Sequence, residues 1–248
     1  MGTVTTAVRL SLGMLWMAVA APLQAVLLLP FLPSRAIRVK LCNYWGWLTG
    51  WLMMKLAGCP VTTIGAEHLD PARPAIYIMN HTSTLDVFLG IWHAPVGAVG
   101  VAKKEVAKIP FFGQLYLLSG HLLVDRGDHG KAVAALRDLA ATVRQFRMGI
   151  WIWPEGTRSS DGRLMPLKKG IYHLAVETGL PIVPVACEGA FDAWPPTRWE
   201  IRPTPVTMRI LAPIDTTSWR DRAPEACLAE AQAALAAGLP ERMRPLVG

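Results

Sequence analysis

The sequence predicts an α/β protein whose central sheet is mixed or mostly parallel, flanked by helices and preceded by an N-terminal membrane-associated helical segment. Three observations predict it. Residues 10–34 carry no charged side chain, short apolar runs alternate with helical patterns after Pro60, and polar residues stand where the apolar runs end. Alternating strands and helices are typical of an α/β sheet, and polar groups at strand ends mark its ligand sites. We therefore divide the chain into membrane-embedded or interfacial helices, residues 1–58, and an α/β domain, residues 59–248.

The composition restricts the class of partner. Hydrophobic residues make up 52% of the chain and charged residues 17%, which is too apolar for an ordinary soluble protein. The net charge of +7 favours an anionic partner, either a phospholipid bilayer, a phosphorylated substrate or nucleic acid. Nucleic acid is excluded as the main partner, because no Lys/Arg-rich block, zinc-finger spacing or RNA-reading aromatic motif is present. The four cysteines have no pair spacing, which indicates reduced thiols facing the cytosol and no metal cluster.

The first uncharged run, residues 10–34, is 25 positions long, enough to cross or deeply enter a bilayer. Its prolines, Pro22, Pro30 and Pro33, argue against one straight helix. A signal peptide cleaved after Ala20 is the alternative, but the apolar run continues well past that residue.

A short basic segment, residues 35–40, separates this uncharged run from a second one. Arg35, Arg38 and Lys40 favour placing the domain that follows on the cytoplasmic side of the cytoplasmic (inner) membrane. The run at 41–54 is rich in tryptophan and predicts an interfacial helix. A helix pair that faces the protein core is the alternative.

The elements of the α/β domain follow from the period of the apolar residues. The predicted strands are 61–64, 75–79, 97–102, 121–125, 149–153, 182–187 and 205–211. The predicted helices are 84–93, 129–147, 167–178 and 223–237. Residues 193–205 form the one irregular stretch long enough to be a loop over a site.

The most informative short stretch is NHTSTLD, residues 80–86. Within one helix, His81 and Asp86 would differ by about 140° and point to different faces. If the strand at 75–79 ends, the chain turns and a helix then begins, Asp86 in its first turn reaches back to the histidine. The candidate helix caps are Thr82, Ser83 and Thr84. A carboxylate on one imidazole nitrogen leaves the other as a proton acceptor, which predicts a general base. A loop histidine beside a helix-start aspartate is the alternative.

Three further blocks stand at the ends of apolar runs. They are residues 120–126, ending in Asp-Arg; residues 154–159, PEGTRS; and residues 181–185, PIVPV. With the His-x4-Asp stretch, in this order and spacing, they resemble the glycerolipid acyltransferase family, whose best-known members are the 1-acylglycerol-3-phosphate acyltransferases. The resemblance covers about residues 60–215. Trp153, where the family usually has Phe, and residues 122–124 depart slightly from its pattern.

The resemblance implies a direct transfer. His81, oriented by Asp86, would act as the base, and the acceptor hydroxyl would attack the thioester in a ternary complex without an acyl-enzyme. Ser83 would then be a capping group. A Ser-His-Asp arrangement with Ser83 as nucleophile, as in a serine lipid hydrolase, stays open.

The same resemblance and the chemistry of phosphate give candidate binding residues. Arg158 is the leading ligand, because a guanidinium fork matches phosphate oxygens, and Gly156 and Thr157 allow close backbone approach. Glu155 is expected to orient Arg158 or an acceptor hydroxyl. Further candidates are Arg126, then Lys103 or Lys104, with a solvated surface charge as the alternative for each. Residues 181–185 either frame the acyl or donor channel or form an ordinary buried strand.

Together these features predict an enzyme that moves a fatty acyl group from acyl-CoA or acyl carrier protein to a lysophospholipid. The default acceptor is 1-acyl-sn-glycerol-3-phosphate (lysophosphatidate), giving phosphatidic acid; glycerol-3-phosphate, a lyso-ornithine lipid or another lysolipid is the alternative. No cofactor and no metal are expected. A non-catalytic membrane-binding protein is the remaining alternative.

Overall fold

The computed structural model describes residues 2–110, 112–125, 127 and 129–246. Its seven strands are β1 (Val61–Ile64), β2 (Ile76–Met79), β3 (Ala98–Lys103), β4 (Leu122–Val124), β5 (Gly149–Ile152), β6 (Ile182–Glu188) and β7 (Val206–Ile210). Its α-helices are α1 (Gly2–Leu28), α2 (Arg35–Ala57), α3 (Leu85–His93), α4 (Phe112–Leu118), α5 (His129–Phe146), α6 (Gly170–Thr178), α7 (Ala190–Ala193) and α8 (Pro224–Ala237). The predicted α/β fold is confirmed, and α4 and α7 are elements that the sequence did not predict.

The strands form one sheet in the order β1-β7-β6-β2-β5-β3-β4. Every neighbouring pair is parallel except β6 and β7, which are antiparallel. The carboxyl ends of β2, β5 and β3 therefore lie side by side at one edge. This edge is where the polar blocks of the sequence meet.

The central strand β2 is buried on both faces, as its unbroken apolar sequence requires. Ile76 and Ile78 belong to the core on one face, together with α5, α6 and α8. Tyr77 and Met79 belong to the core on the opposite face, with residues of α2 and α3. Two hydrophobic cores thus hold the central strands in place.

The two N-terminal helices pack on the domain. Gly50 of α2 lies against α3 so closely that a Cβ there would stand 2.3 Å from the carbonyl oxygen of Phe88. The predicted second run is the centre of this 23-residue helix: Thr49, Gly50 and Met53 are buried, while Trp47 is exposed. One face of α2 is therefore a core face, and the opposite face presents aromatic side chains outward.

Residues 10–34 do not form one straight helix, as their prolines predicted, but Pro22 is not where the helix ends. This residue lies inside α1, which continues to Leu28, and only the region of Pro30 ends it. Proline removes one backbone hydrogen bond, but α1 packs on α2 and α4, and this packing supports the helix. Within the described residues, Thr3–Phe31 is the one helical stretch long and apolar enough to cross a bilayer.

Two of the basic residues in the first turns of α2 make contacts inside the protein. Nε of Arg35 donates to the carbonyl oxygen of Gly120 at 2.8 Å, and Arg38 donates to that of Leu118. These carbonyls lie at and just beyond the carboxyl end of α4, where a positive charge is favourable. Both arginines thus fasten α2 to the domain, and the orientation of the chain relative to a membrane stays a prediction.

Candidate active site

His81 and Asp86 meet at the carboxyl edge of the sheet. Nδ1 of His81 lies 3.0 Å from Oδ2 of Asp86, which is fully buried. The same oxygen accepts the backbone N–H groups of Thr82 at 2.6 Å and Ser83 at 2.7 Å. Asp86 in the first turn of α3 therefore reaches back over the turn, as the spacing predicted. The pairing leaves Nε2 of the imidazole as the nitrogen that can accept a proton.

The turn before α3 is held by neighbouring elements. The side chain of Asn80 forms a pair of hydrogen bonds with the backbone of Cys187 in β6, at 3.0 and 2.7 Å. The backbone N–H of Ser159 donates to the carbonyl oxygen of His81 at 2.8 Å. Hydrogen bonds from β6 and from the loop after β5 thus fix the backbone at Asn80 and at His81.

Ser83 serves as a buried structural group. Its hydroxyl donates to the carbonyl oxygen of Trp194 at 2.7 Å and accepts the N–H of Leu85 at 3.1 Å. Of the three candidate caps, Ser83 is therefore the one that binds the helix start, while Thr84 makes no such bond. A side chain with no exposed surface and both functions in use is poorly placed to attack a substrate. The irregular stretch 193–205 supports the turn through Trp194.

Glu155 has a different position from the one expected for it. Its side chain is 1% exposed, and its two oxygens accept the N–H groups of His81 at 2.6 Å and Met165 at 2.8 Å. Burial raises the pKa of Glu155 to about 8 against the opposing effect of these two hydrogen bonds. The expected contact with Arg158 is not made in the described structure, because both carboxyl oxygens accept backbone N–H groups inside the protein and Arg158 donates to Thr84 instead.

Arg158 lies beside the base. Its guanidinium is exposed and donates to the hydroxyl of Thr84 at the start of α3. Gly156 adopts φ +79°, a left-handed conformation that favours glycine, and brings Thr157 and Arg158 to the surface next to His81. These three residues thus stand at the position expected of an anion-binding turn.

The two candidate lysines, Lys103 and Lys104, differ in their contacts. Lys103 ends β3 with an exposed side chain that lines the same cavity as His81. Lys104 forms an ion pair with Asp125 at 2.7 Å, and this hydrogen bond is the main cause of the lowered pKa of Asp125. Lys103 is therefore the better placed of the two to meet a ligand. Arg126, the second candidate phosphate ligand, lies outside the described residues.

An apolar cavity of about 270 Å³ runs inward from His81. Its walls come from the sheet and from helices α1–α4, and include Ala20, Trp45, Phe88, Gly90, Ala98 and Leu115. Arg158, Thr157 and Lys103 line the same cavity as His81. The site therefore combines a base, exposed cations and an apolar cavity.

Sequence reasoning missed two parts of this site. Trp153 packs its ring 5.1 Å from that of His81, and residues of α1 and α2 line the cavity although they were interpreted only as membrane helices. Gly46 and Gly50, four apart in α2 and both against α3, were a local signal of close helix packing. Residues 181–185 do not line the cavity: Ile182, Val183 and Val185 are buried in the two cores, so the buried-strand alternative holds.

The described residues contain no group of three or more His, Cys, Asp or Glu side chains that could hold a metal ion. The site as described is built from a His-Asp pair and cations.

The sequence comparisons agree with this class of site. A family model described as Acyltransferase matches residues 60–188. The 1-acyl-sn-glycerol-3-phosphate acyltransferase of Limnanthes alba is 43% identical over 202 residues, which cover 82% of this chain and 70% of the relative. That of Cocos nucifera is 37% identical over 244 residues, covering 98% of this chain and 79% of the relative.

A solved structure agrees as well. The crystal structure of the 1-acyl-sn-glycerophosphate acyltransferase from Thermotoga maritima superposes with a TM-score of 0.77 and 22% identity, over 95% of this chain and 94% of that one. This likeness shows that the two chains share a fold. The present chain belongs to the acyltransferase family. It is an O-acyltransferase, an enzyme that moves an acyl group to a hydroxyl oxygen.

Proposed function

We propose that this enzyme transfers a fatty acyl group from acyl-CoA or acyl carrier protein to the free hydroxyl of 1-acyl-sn-glycerol-3-phosphate at a membrane surface. The observation that carries the proposal is the position of the His81–Asp86 pair, where exposed cations meet an apolar cavity. The names of the relatives support the acceptor, since they are acyltransferases for this lysolipid.

Nε2 of His81 is the proton acceptor in the proposed reaction. It takes the proton of the acceptor hydroxyl while that oxygen attacks the thioester carbonyl carbon. Asp86 holds the other nitrogen and stabilises the imidazolium that forms. When the tetrahedral intermediate collapses, the C–S bond breaks and His81 returns the proton to the leaving thiolate. The products are the new ester and the free thiol, so the enzyme is unchanged.

Arg158 holds the phosphate of the acceptor in this proposal. Its guanidinium is exposed and uses one N–H group to bind the hydroxyl of Thr84, so its other N–H groups remain available for phosphate oxygens. Lys103 adds a second positive charge at the same cavity. The apolar cavity takes the acyl chain of the donor, which places the thioester near His81.

The exposed surface of α1 supports membrane association. Large apolar side chains such as Val8, Leu15 and Val19 are exposed along this helix. Burial of such a surface in a bilayer is favourable, and it brings the site to the depth of a lipid acceptor.

The test is an acyl-transfer assay in mixed micelles with a labelled thioester and separate acceptors. Lysophosphatidate, glycerol-3-phosphate and a zwitterionic lysolipid are offered to the wild type, Arg158→Ala and Arg163→Ala. Arg163 is the matched control, because it is a partly exposed arginine of the same loop whose guanidinium donates to the carbonyl oxygen of Arg244. We expect product from lysophosphatidate, a large rise in KM for that acceptor in Arg158→Ala, and little change in Arg163→Ala. Equal use of the zwitterionic lysolipid, with no effect of Arg158→Ala, would refute the acceptor assignment.

A further inference from the structure

The inner part of the cavity is not uniformly apolar. Three side chains with hydrogen-bonding groups line it together, namely Gln24 of α1, Tyr116 of α4 and His121 just before β4. They are close neighbours: the rings of Tyr116 and His121 lie 4.9 Å apart, and the thiol of Cys42 lies between Gln24 and Ser119. An acyl chain made only of CH₂ groups gives such side chains nothing to bind.

Polar atoms in this cluster can form more hydrogen bonds than they do. The hydroxyl oxygen of Tyr116 is buried and has no hydrogen-bond partner among the described residues, and the buried Nε2 of Gln24 has beside it only the thiol of Cys42, a weak acceptor. A buried polar group without a partner lowers stability, so its presence calls for a ligand or water.

His121 offers a donor at the same place. Its Nδ1 accepts the backbone N–H of Gly100 at 3.1 Å, so the neutral ring carries its proton on Nε2. Burial, with a smaller contribution from Arg35, lowers the pKa of His121 to about 4, and the ring is therefore neutral at pH 7. No group in the described part of the chain accepts the Nε2 proton, and part of the side-chain surface remains exposed where the residue lines the cavity.

The depth of the cluster follows from the strand registers. Tyr77 in β2 and Gly100 in β3 both pair with Trp151 in β5, the strand between them. Gly100 therefore lies two strands away from Tyr77 at the same height in the sheet, and Tyr77 is four residues before His81. With strands about 4.8 Å apart and a rise of about 3.3 Å per residue, His81 and Gly100 are about 16 Å apart. An extended chain advances about 1.2 Å per bond, so this distance corresponds to about 13 bonds.

We propose that His121, Tyr116 and Gln24 form a hydrogen-bonding site that binds an oxygen substituent, a hydroxyl or a keto group, on the distal half of the transferred acyl chain. The proposal rests on the proposed function, which places this chain in the cavity. It predicts that the enzyme accepts oxygenated acyl thioesters that a wholly apolar cavity would reject, because a buried hydroxyl needs a partner.

The experiment compares stearoyl-CoA, 12-hydroxystearoyl-CoA and 2-hydroxystearoyl-CoA as donors, each at limiting concentration. The variants are Tyr116→Phe and Gln24→Leu, which remove one polar group each at nearly constant volume, and His121→Asn, which keeps an acceptor for Gly100 but removes the donor at Nε2. Tyr172→Phe is the matched control, because it loses the same hydroxyl at a residue that does not line the cavity.

We expect the wild type to use the 12-hydroxy donor about as well as stearoyl-CoA. The kcat/KM for the 12-hydroxy donor, divided by that for stearoyl-CoA, should fall about fivefold in each cavity variant and stay constant in Tyr172→Phe. The 2-hydroxy donor should not respond, because its hydroxyl lies near His81. Unchanged ratios in all three cavity variants, or equal responses of the two hydroxylated donors, would overturn the inference.

A binding measurement separates this inference from the proposed function. Displacement of a fluorescent fatty acid from the purified enzyme compares stearate with 12-hydroxystearate without any turnover. If the wild type transfers no acyl group from either stearoyl-CoA or stearoyl-acyl carrier protein, the proposed function fails and displacement alone decides the inference. Loss of selective displacement in Tyr116→Phe would still support the polar site, and identical displacement in all forms would overturn it.

Discussion

Oε1 of Glu155 accepts the backbone N–H of His81 at 2.6 Å, although 74 residues separate the two in the chain. Its second oxygen accepts the N–H of Met165 at 2.8 Å. One buried side chain thus joins the loop after β5 to the turn that carries the base. Glu155 acts as a positioning residue in this arrangement, since it contacts the backbone of His81 and has no exposed surface for a substrate.

Glu155→Gln should lower both stability and turnover. The amide can accept only one of the two N–H groups and turns its own NH₂ towards the other, which costs about 1–3 kcal/mol. A shift of the His81 backbone should reduce kcat about tenfold to a hundredfold. Thermal unfolding and acyl transfer, measured in the same micelles, test both effects. A variant with wild-type Tm and kcat would show that this link is dispensable.

The raised pKa of Glu155 predicts a dependence of stability on pH. Its pKa in the folded chain is about 8, above the ordinary value of 4.5, so the folded state binds more protons than the unfolded state between these values. The stability contribution is therefore fully present below about pH 4.5 and is lost as pH rises through 8. Tm should fall more steeply from pH 5 to pH 8 in the wild type than in Glu155→Gln. Parallel pH profiles of the two proteins would contradict this assignment.

Ser83→Ala distinguishes direct transfer from nucleophilic catalysis. The hydroxyl binds Trp194 and Leu85, so its loss should cost about 1–2 kcal/mol of stability. Acyl transfer should fall less than about fivefold, whereas loss of a nucleophile would remove it by orders of magnitude. The measurement is kcat at a temperature well below the Tm of the variant. Complete loss of activity in a folded Ser83→Ala protein would favour a serine hydrolase.

Gly50 should be required for docking α2 on α3. A Cβ at this position would stand 2.3 Å from the carbonyl oxygen of Phe88 and 2.7 Å from Cβ of Trp92. Gly50→Ala must separate the two helices, and we expect a loss of about 1–3 kcal/mol in unfolding free energy. Gly170→Ala is the control, because its Cβ would meet only a Leu136 methyl group at 3.7 Å. Equal Tm values for the two variants would contradict the packing described for α2.

Most of the fold is readable from the sequence because the central strands are short, continuous apolar runs. The observed bounds of β2, β5 and β6 differ from the predicted ones by one residue at most at each end. The predicted helix at 167–178 begins later, at Gly170, and the N–H of Lys168 before it donates to the carbonyl oxygen of Pro154, which ties this residue to the loop after β5. Helix α4 has seven residues, too few to show a reliable period.

The candidate site was predictable where the chemistry is local. His81 and Asp86 are five residues apart, and the turn between them is encoded by the residues themselves. The burial of Glu155 was not predictable, because its partners come from distant backbone and a glutamate in a Gly-containing loop resembles a solvent-facing ligand. The cavity walls from α1 and α2 were missed for a similar reason, since an apolar helix has the same composition whether it faces lipid or an internal cavity.

The most direct measurement is kcat for acyl transfer to lysophosphatidate by His81→Ala and Asp86→Asn, with folding and lysolipid binding measured on the same samples. The proposed mechanism predicts that His81→Ala stays folded and binds the lysolipid but loses about 10²–10⁴ in kcat. Asp86→Asn should also lose most of its activity, because the amide no longer stabilises the imidazolium. Wild-type acyl transfer by a folded His81→Ala protein would contradict the assignment of His81 as the base.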